Sequence, residues 1–294
     1  KIRSSHALVI GSYLYAFSGY LVSTGTHYWF SSYLIFFPLL LLSVDLCFDK
    51  KEMMFFYFAV LGVVIFATAY AAFPMLLVVG MYMIYKTLDD SKFDLKIWLS
   101  MIGTAILAVL STSFLFIPFV YKALYVSNRV DDVPLLTKII SSFSIISKEM
   151  MSSAFLKLFS NNLQGGVDSF DFLLTSGAWF SCFPWFFSIL FPLLFMQYIF
   201  FVFRYYKGKN KIVRLFYLII MFIMMFTNCF VELFQIYTTK EWRMAFIFLP
   251  FWAWIVSFVI EKMLDDMKFN HLVNIISVII LSIMLFLLKD YIFL

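Results

Sequence analysis

Long apolar runs separated by short charged hinges dominate this chain. About nine mostly apolar stretches follow one another, and most of them are long enough to cross a bilayer. An unpaired backbone group costs several kcal/mol in hydrocarbon, so runs of this length can cross a membrane only as helices. The sequence predicts an all-α, polytopic integral membrane protein with about nine transmembrane helices. The predicted spans are 6–22, 29–47, 53–70, 74–86, 97–121, 174–203, 212–236, 244–262 and 271–288.

Composition excludes an ordinary soluble fold. Hydrophobic residues make up 64% of the 294 residues and charged residues 13%, against about 25% charged in a typical soluble domain. The mean hydropathy is +0.95. Although the formal net charge is +5, no basic stripe interleaved with aromatic residues is present. Membrane lipids, and no nucleic acid, are the predicted surroundings.

The distribution of cations predicts the orientation. With the first residue on the cytoplasmic side of this multi-pass protein, 14 of the 22 Lys and Arg residues fall on inner loops, as the positive-inside rule requires. The block 53–86 is the least regular part, and it is alternatively a broken hairpin that turns between Ala69 and Pro74, because Pro favours a helix start.

One connection is long. We interpret 1–294 as a single transmembrane domain in which 122–173 is an outer-face loop that carries interfacial helices. Apolar residues recur there at helical spacing, at Leu135, Ile139, Ile140, Phe143 and Ile146. This spacing predicts an amphipathic helix, and Met150 to Phe159 is a second candidate.

The sequence lacks the short motifs of soluble enzymes. It has no GxGxxG, GxxxxGK[ST], HExxH or GxSxG pattern. Its three His and three Cys residues are scattered, without the spacing of metal ligands. No metal site is predicted and no cofactor follows from the sequence, although a divalent metal stays open as an alternative.

Polar residues at the predicted outer boundary are the candidate site. Arginine forks make paired, charge-assisted bonds to phosphate oxygens. We therefore interpret Arg129, Arg243 and Lys122 as ligands for a lipid phosphate or diphosphate; the alternative is that these cations only anchor helix ends at lipid headgroups. The predicted substrate-binding residues are Arg129, Arg243, Lys122, Asn128, His27, Tyr28 and Trp29.

Three acidic residues lie near the same boundary, and each has two interpretations. Asp131 and Asp132 either cap a helix that begins near Pro134 or serve as a base. Glu232, about one turn inside its span, either forms an ion pair with Lys240 or Arg243 or acts in function. All three are weak catalytic candidates, and the catalytic residue stays unknown.

Several segments resemble a known family. Tyr15 to Tyr20, His27 to Phe30, and Phe37 to Leu42 are similar to the central membrane region of the bacterial YfhO-like proteins, which belong to the GT-C class of glycosyltransferases. Pro118 to Arg129 resembles the Pro-to-Arg pattern of the family. Trp242-Arg243 resembles its Arg-Trp pair in inverted order.

The resemblance implies a function and a location. It implies a glycosyltransferase in the bacterial plasma membrane that moves a sugar from an undecaprenyl-phosphate carrier onto a cell-envelope glycopolymer, such as lipoteichoic acid, at the outer face. Aromatic residues such as Tyr28 and Trp29 would line the sugar or prenyl path. The catalytic Asp of the GT-C class lies in the first outer loop, so we expect it upstream of this chain, which we interpret as a fragment.

Two other function classes compete with the enzyme. A transporter or flippase for a lipid-linked or small solute would use Gly or Pro breaks in membrane helices, and Gly62, Pro74, Pro184 and Pro192 offer such breaks. A non-catalytic membrane subunit is the third class.

Overall fold

The computed structural model of the protein describes residues 2–18, 28–89, 93–122, 135–145, 191–227, 243–266 and 270–287. Within these ranges every regular element is a helix, and no strand occurs, which confirms the all-α class. Short 3-10 helices span Lys51–Met53 and Arg243–Phe248. The α-helices are α1 Ser5–Ala16, α2 Tyr28–Asp49, α3 Met54–Ala67, α4 Ala69–Asp89, α5 Leu95–Ser111, α6 Ser113–Tyr121, α7 Leu135–Ser142, α8 Phe191–Tyr205, α9 Gly208–Phe226, α10 Leu249–Asp266 and α11 His271–Leu287.

Length and composition identify several membrane-spanning candidates. In the described ranges three helical segments are long and apolar enough to cross a membrane, Ser32–Asp49, Ala71–Asp89 and Phe246–Asp265. A fourth is counted if α5 and α6 together make one broken span. Helices α8 and α11 are apolar but shorter. Several apolar helices therefore agree with a multi-pass protein, and the number nine stays a prediction.

The chain divides into two compact units. Unit 1 comprises Lys1–Thr26, Ser144–Asn228 and Glu241–Leu294, and it contains α1 and α8 to α11. Unit 2 comprises His27–Phe143 and Cys229–Lys240, and it contains α2 to α7.

Small residues bring α1 and α10 into close contact in unit 1. Ala7 and Gly11 lie four residues apart on one face of α1, and both are buried. A Cβ atom on Gly11 would lie 1.9 Å from Ser257 Oγ and 3.0 Å from the carbonyl oxygen of Ala253. Residues with small side chains at a spacing of four allow membrane helices to approach this closely. The backbones of α1 and α10 are therefore in close contact at Gly11.

Glu261 joins the beginning of α1 to the end of α10. Its side chain is buried, and its Oε1 accepts the Arg3 N–H over 3.0 Å. Ser4 caps the same helix, where its Oγ accepts an N–H of the first turn over 3.4 Å. A carboxylate at this position also balances the positive end of the helix dipole. Because the end of α10 meets the beginning of α1 while Ala253 lies near Gly11, the two helices are antiparallel.

Aromatic rings pack α8 against its neighbours. Phe191 and Trp252 have ring centroids 4.1 Å apart, and Tyr198 and Phe258 are 5.6 Å apart, so α8 and α10 are parallel. Direct edge-to-face pairs of this kind add stability beyond the area they bury. Glu261 joins α1 to α10, and the aromatic rings join α8 to α10. Helix α10 is therefore the central helix of the three.

A buried threonine makes the turn between α3 and α4 in unit 2. The Thr68 hydroxyl donates to the Val64 carbonyl over 2.6 Å, and the Thr68 carbonyl accepts the N–H groups of Ala71 and Ala72 over 2.8 and 2.9 Å. These bonds satisfy backbone groups that lipid could not. The predicted alternative placed this turn between Ala69 and Pro74, but the chain turns at Thr68 and Pro74 lies inside α4.

The predicted span 97–121 is not one straight helix. It breaks into α5 and α6, which meet at an angle of 80°. Ser111 Oγ and Thr112 Oγ1 each donate to the Ala108 carbonyl over 2.8 Å. Hydroxyl groups that bond back to the preceding turn compete with the backbone ladder and bend membrane helices. The run of three hydroxyl residues at 111–113 explains why the helix changes direction there.

A helix occurs where the apolar spacing at 135–146 predicts one, as far as that segment is described. α7 covers Leu135–Ser142, at the position that the apolar spacing indicates. The second candidate, Met150 to Phe159, lies outside the described residues.

Gly11→Ala should destabilise the protein by about 1 to 3 kcal/mol, because overpacking a close contact forces backbone shifts. The Ser257 hydroxyl can rotate away from the new methyl group, but the Ala253 carbonyl cannot. Thermal unfolding in detergent would measure the change. The control is Gly62→Ala in α3, where an added Cβ meets no atom within 4 Å and should not lower stability. Equal stability of the two variants would contradict the close α1–α10 contact.

Candidate functional site

The structure describes little of the predicted outer site. Lys122 follows α6 and is exposed. Tyr28 and Trp29 form the first turn of α2, and Arg243 begins a 3-10 helix; for these three only the backbone is described. His27, Asn128, Arg129, Asp131, Asp132 and Glu232 lie outside the described residues. Convergence of these side chains on one site therefore stays a prediction.

The best-defined polar cluster of unit 2 surrounds Asp45. Its Oδ1 accepts the Tyr82 hydroxyl over 2.9 Å and is also bonded by the Lys86 ammonium. Lys86 is 14% exposed and Asp45 36%, and the ammonium lies 5.8 Å from the ring centroid of Phe48. A shielded ammonium needs such partners. The cluster joins the end of α2 to the end of α4.

Asp94 organises the same end of unit 2. It caps α5, where Oδ1 accepts the N–H groups of Lys96 and Ile97 over 2.9 and 3.3 Å. Its Oδ2 lies 3.3 Å from Lys51 Nζ, which brings the beginnings of α3 and α5 together. Partial desolvation acts to raise the pKa of Asp94, but the Ile97 N–H, Lys51 and the Lys96 N–H outweigh it and lower this pKa.

An apolar groove lies between α4 and α5. Its volume is about 360 Å³, and the Trp98 Nε1 donates to Thr87 Oγ1 over 3.1 Å at its wall. The indole N–H of Trp98 is therefore already hydrogen-bonded within the protein. The apolar lining suits hydrocarbon and excludes the groove as a phosphate site. The lining residues are Ile84, Thr87, Leu88, Phe93, Leu95, Trp98, Leu99 and Ile102.

Arg214 is the most shielded cation of unit 1 in the described ranges. The side chain is 8% exposed, although α9 carries it only two turns from the helix start. Its guanidinium carbon lies 4.0 Å from the ring centroid of Tyr206 and 5.5 Å from that of Trp254. Cation–π contacts strengthen when they are desolvated, so Arg214 joins α9 to α10.

Gln197 makes a buried amide contact between α8 and α11. The side chain is fully buried, and its Nε2 donates to the Asn270 carbonyl over 3.0 Å and to Asn274 Oδ1 over 2.6 Å. Asn270 in turn caps α11, where its Oδ1 accepts the Val273 N–H over 3.1 Å. Interhelical hydrogen bonds of this kind hold membrane helices together.

The residues that the structure describes contain no candidate metal site. No group of three or more His, Cys, Asp or Glu residues there lies close enough to hold a metal ion. The described polar clusters instead connect helices.

Comparison with known proteins identifies the family. A family model described as "Bacterial membrane protein YfhO" matches residues 1–293. The chain belongs to the YfhO family. No curated protein and no solved structure matches it. The match covers nearly every residue, including all segments on which the sequence resemblance rests.

Sequence reasoning missed the polar residues that join the helices of this YfhO protein. Asp45 and Gln197 lie inside runs predicted as spans, and Arg214 lies two residues into another. The available signal was the cost of a polar group at membrane depth, which makes each such residue a candidate for a specific contact. Attention to the outer boundary left these positions aside.

A double-mutant cycle should distinguish the two ion pairs of unit 2. For Asp45→Asn and Lys86→Met we expect a coupling energy of about 1 kcal/mol or more, because the pair is shielded and charge-assisted. The control cycle, Lys51→Met with Asp94→Asn, should give a smaller coupling, since those side chains are 62% and 42% exposed. Thermal unfolding in detergent measures both cycles. A larger coupling for the exposed pair would contradict the shielding of Lys86.

Proposed function

We propose that this YfhO-family protein is a GT-C-type glycosyltransferase that moves a sugar from a polyprenyl-phosphate carrier to a cell-envelope glycopolymer at the outer face of the bacterial plasma membrane. The observation that carries the proposal is the family match over residues 1–293, together with the several apolar helices of the structure. Undecaprenyl phosphate is the proposed carrier, and lipoteichoic acid is an example of the proposed acceptor.

The donor phosphate is held by outer-face cations in this proposal. Arg129 and Arg243 bind the phosphate, and Lys122 and Asn128 support it. The exposed position of Lys122 directly after α6 supports the presence of a free cation just before the Asn128-Arg129 pair. Guanidinium groups would stabilise the charge that grows on the phosphate as the bond to the sugar breaks.

The transfer itself is a substitution at the anomeric carbon. The acceptor hydroxyl forms a new bond to that carbon, the bond from the carbon to the phosphate oxygen breaks, and polyprenyl phosphate leaves. A carboxylate takes the hydroxyl proton. Asp131, Asp132 and Glu232 are the weak candidates in this chain, while the GT-C pattern expects the base upstream. His27, Tyr28 and Trp29 would line the sugar or prenyl path.

Arg129→Ala should lower sugar transfer from a prenyl-phosphate sugar more than tenfold, because a charge-assisted contact contributes about 1.5 to 3 kcal/mol. Turnover of a radiolabelled sugar donor by the purified full chain in lipid nanodiscs would measure it. If the full protein includes a segment upstream of this chain, the assay uses that longer protein.

The matched control is Lys96→Ala, which removes an exposed cation on the predicted cytoplasmic side and should leave turnover within twofold of wild type. Near-normal turnover of Arg129→Ala alongside an active wild type would remove Arg129 from the site. Absence of any transfer by the wild type, with tight carrier binding retained, would reject the enzyme and favour the other classes.

A transporter or flippase is the second candidate, and one observation favours it. α5 and α6 meet at 80° within one apolar segment, and broken helices line the binding sites of many transporters. Proteoliposomes loaded with a fluorescent prenyl-phosphate sugar distinguish the two functions. Movement of the label across the bilayer without chemical transfer would support the transporter, whereas transfer to an acceptor would support the enzyme.

A further inference from the structure

Unit 1 carries a concentrated basic surface between α8 and α9. Four cations occupy the eight positions from 204 to 211, and no carboxylate lies among them. We name this surface the basic turn; it consists of Arg204, Lys207, Lys209 and Lys211. Arg204, Lys207 and Lys209 are exposed, and Lys211 is half-buried.

The nearby acids of unit 1 are engaged elsewhere. Glu261 accepts the Arg3 N–H, and Asp265 lies 3.5 Å from Lys262 Nζ. These residues belong to the same end of the unit, because Lys262 Nζ lies 5.3 Å from the Tyr205 ring centroid. No ion pair involves the basic turn within the part of the chain that the structure describes. Its positive charge is therefore not neutralised by those carboxylates.

In unit 2, two of the cations form ion pairs with acids. Lys86 pairs with Asp45, and Lys51 pairs with Asp94. Glu52 lies beside Lys51 in the sequence. The excess of positive charge is thus particular to the basic turn. In unit 2, Lys51 and Lys86 each have an acidic partner.

The setting of the basic turn points to the membrane surface. It covers the end of α8, which is apolar, and the start of α9, which is apolar after Arg214, so we expect it where hydrocarbon gives way to headgroups. Aromatic rings border the cations: the Arg204 guanidinium carbon lies 5.9 Å from the Tyr205 ring centroid, and Lys211 Nζ lies 5.3 Å from that of Phe203. Rings at this level are typical of a bilayer interface. Gly208, with φ of +55°, lets the chain turn tightly between the cations.

We propose that the basic turn is a binding surface for anionic phospholipid headgroups. Cations placed at this depth reach lipid phosphates while their apolar stems stay against hydrocarbon. Each Lys near such a surface strengthens its attraction for anionic lipid about fivefold. The site is independent of the proposed sugar transfer and lies in the part of the chain predicted to face the cytoplasm.

Lipid retention tests the proposal directly. Purified full chain is equilibrated with equal amounts of phosphatidylglycerol and phosphatidylcholine in mixed micelles, and the bound lipids are counted by native mass spectrometry. We expect wild type to retain phosphatidylglycerol preferentially. The variant Lys207→Gln, Lys209→Gln, Lys211→Gln should reduce this preference more than tenfold. The matched control, Lys50→Gln, Lys51→Gln, Lys96→Gln in unit 2, should stay within twofold of wild type.

Three outcomes would overturn the proposal. The first is an unchanged preference in the basic-turn variant, and the second is an equal loss in the unit 2 control. The third is displacement of the bound lipid by millimolar inorganic phosphate, which would assign the cations to a soluble anion. If the glutamine variant does not stay folded, salt titration of wild type decides: a preference that does not weaken between low and high ionic strength contradicts headgroup binding.

Discussion

Satisfaction of backbone polar groups within lipid is the constraint on which the rest of this structure depends. It confines the described chain to helices, and it also controls where those helices change direction. At both described breaks between adjoining apolar helices a hydroxyl group adds a bond to a carbonyl of the preceding turn: Thr68 bonds to Val64, and Ser111 and Thr112 bond to Ala108. Hydroxyl groups that bond back to the preceding turn favour a bend in a membrane helix.

Much of the architecture could be predicted because hydropathy reports directly on membrane insertion. The all-α class, the long apolar helices α2, α4 and α10, and the start of α7 all follow from patterns of single residues. The break between α5 and α6 could not, because mean hydropathy treats Ser111 and Thr112 as mildly polar and ignores the bonds they make. The contact of Gly11 with Ala253 joins distant parts of the chain, and no local pattern shows which small residues will meet.

The candidate site was harder to predict for a related reason. Charges near span boundaries are easy to find, but their convergence depends on how helices from different parts of the chain pack. Lys122 is exposed after α6, and both its outer location and the meeting of Arg129 with Arg243 stay predictions. The cations of the described helices are of two kinds. Lys86 forms an ion pair with an acid of the protein, whereas the cations of the basic turn form no ion pair within the described residues. Position relative to a carboxylate, more than the identity of the cation, separates a structural role from a recognition role.

The antiparallel pair of α1 and α10 has a consequence for biosynthesis. The bond from Arg3 to Glu261 joins residues 258 positions apart, so α1 is synthesised long before its partner α10. At ordinary ribosome speeds the delay is on the order of 10 to 50 s. Throughout that interval Ala7 and Gly11 lack their partner helix, and the α1–α10 contact forms only after α10 has been made.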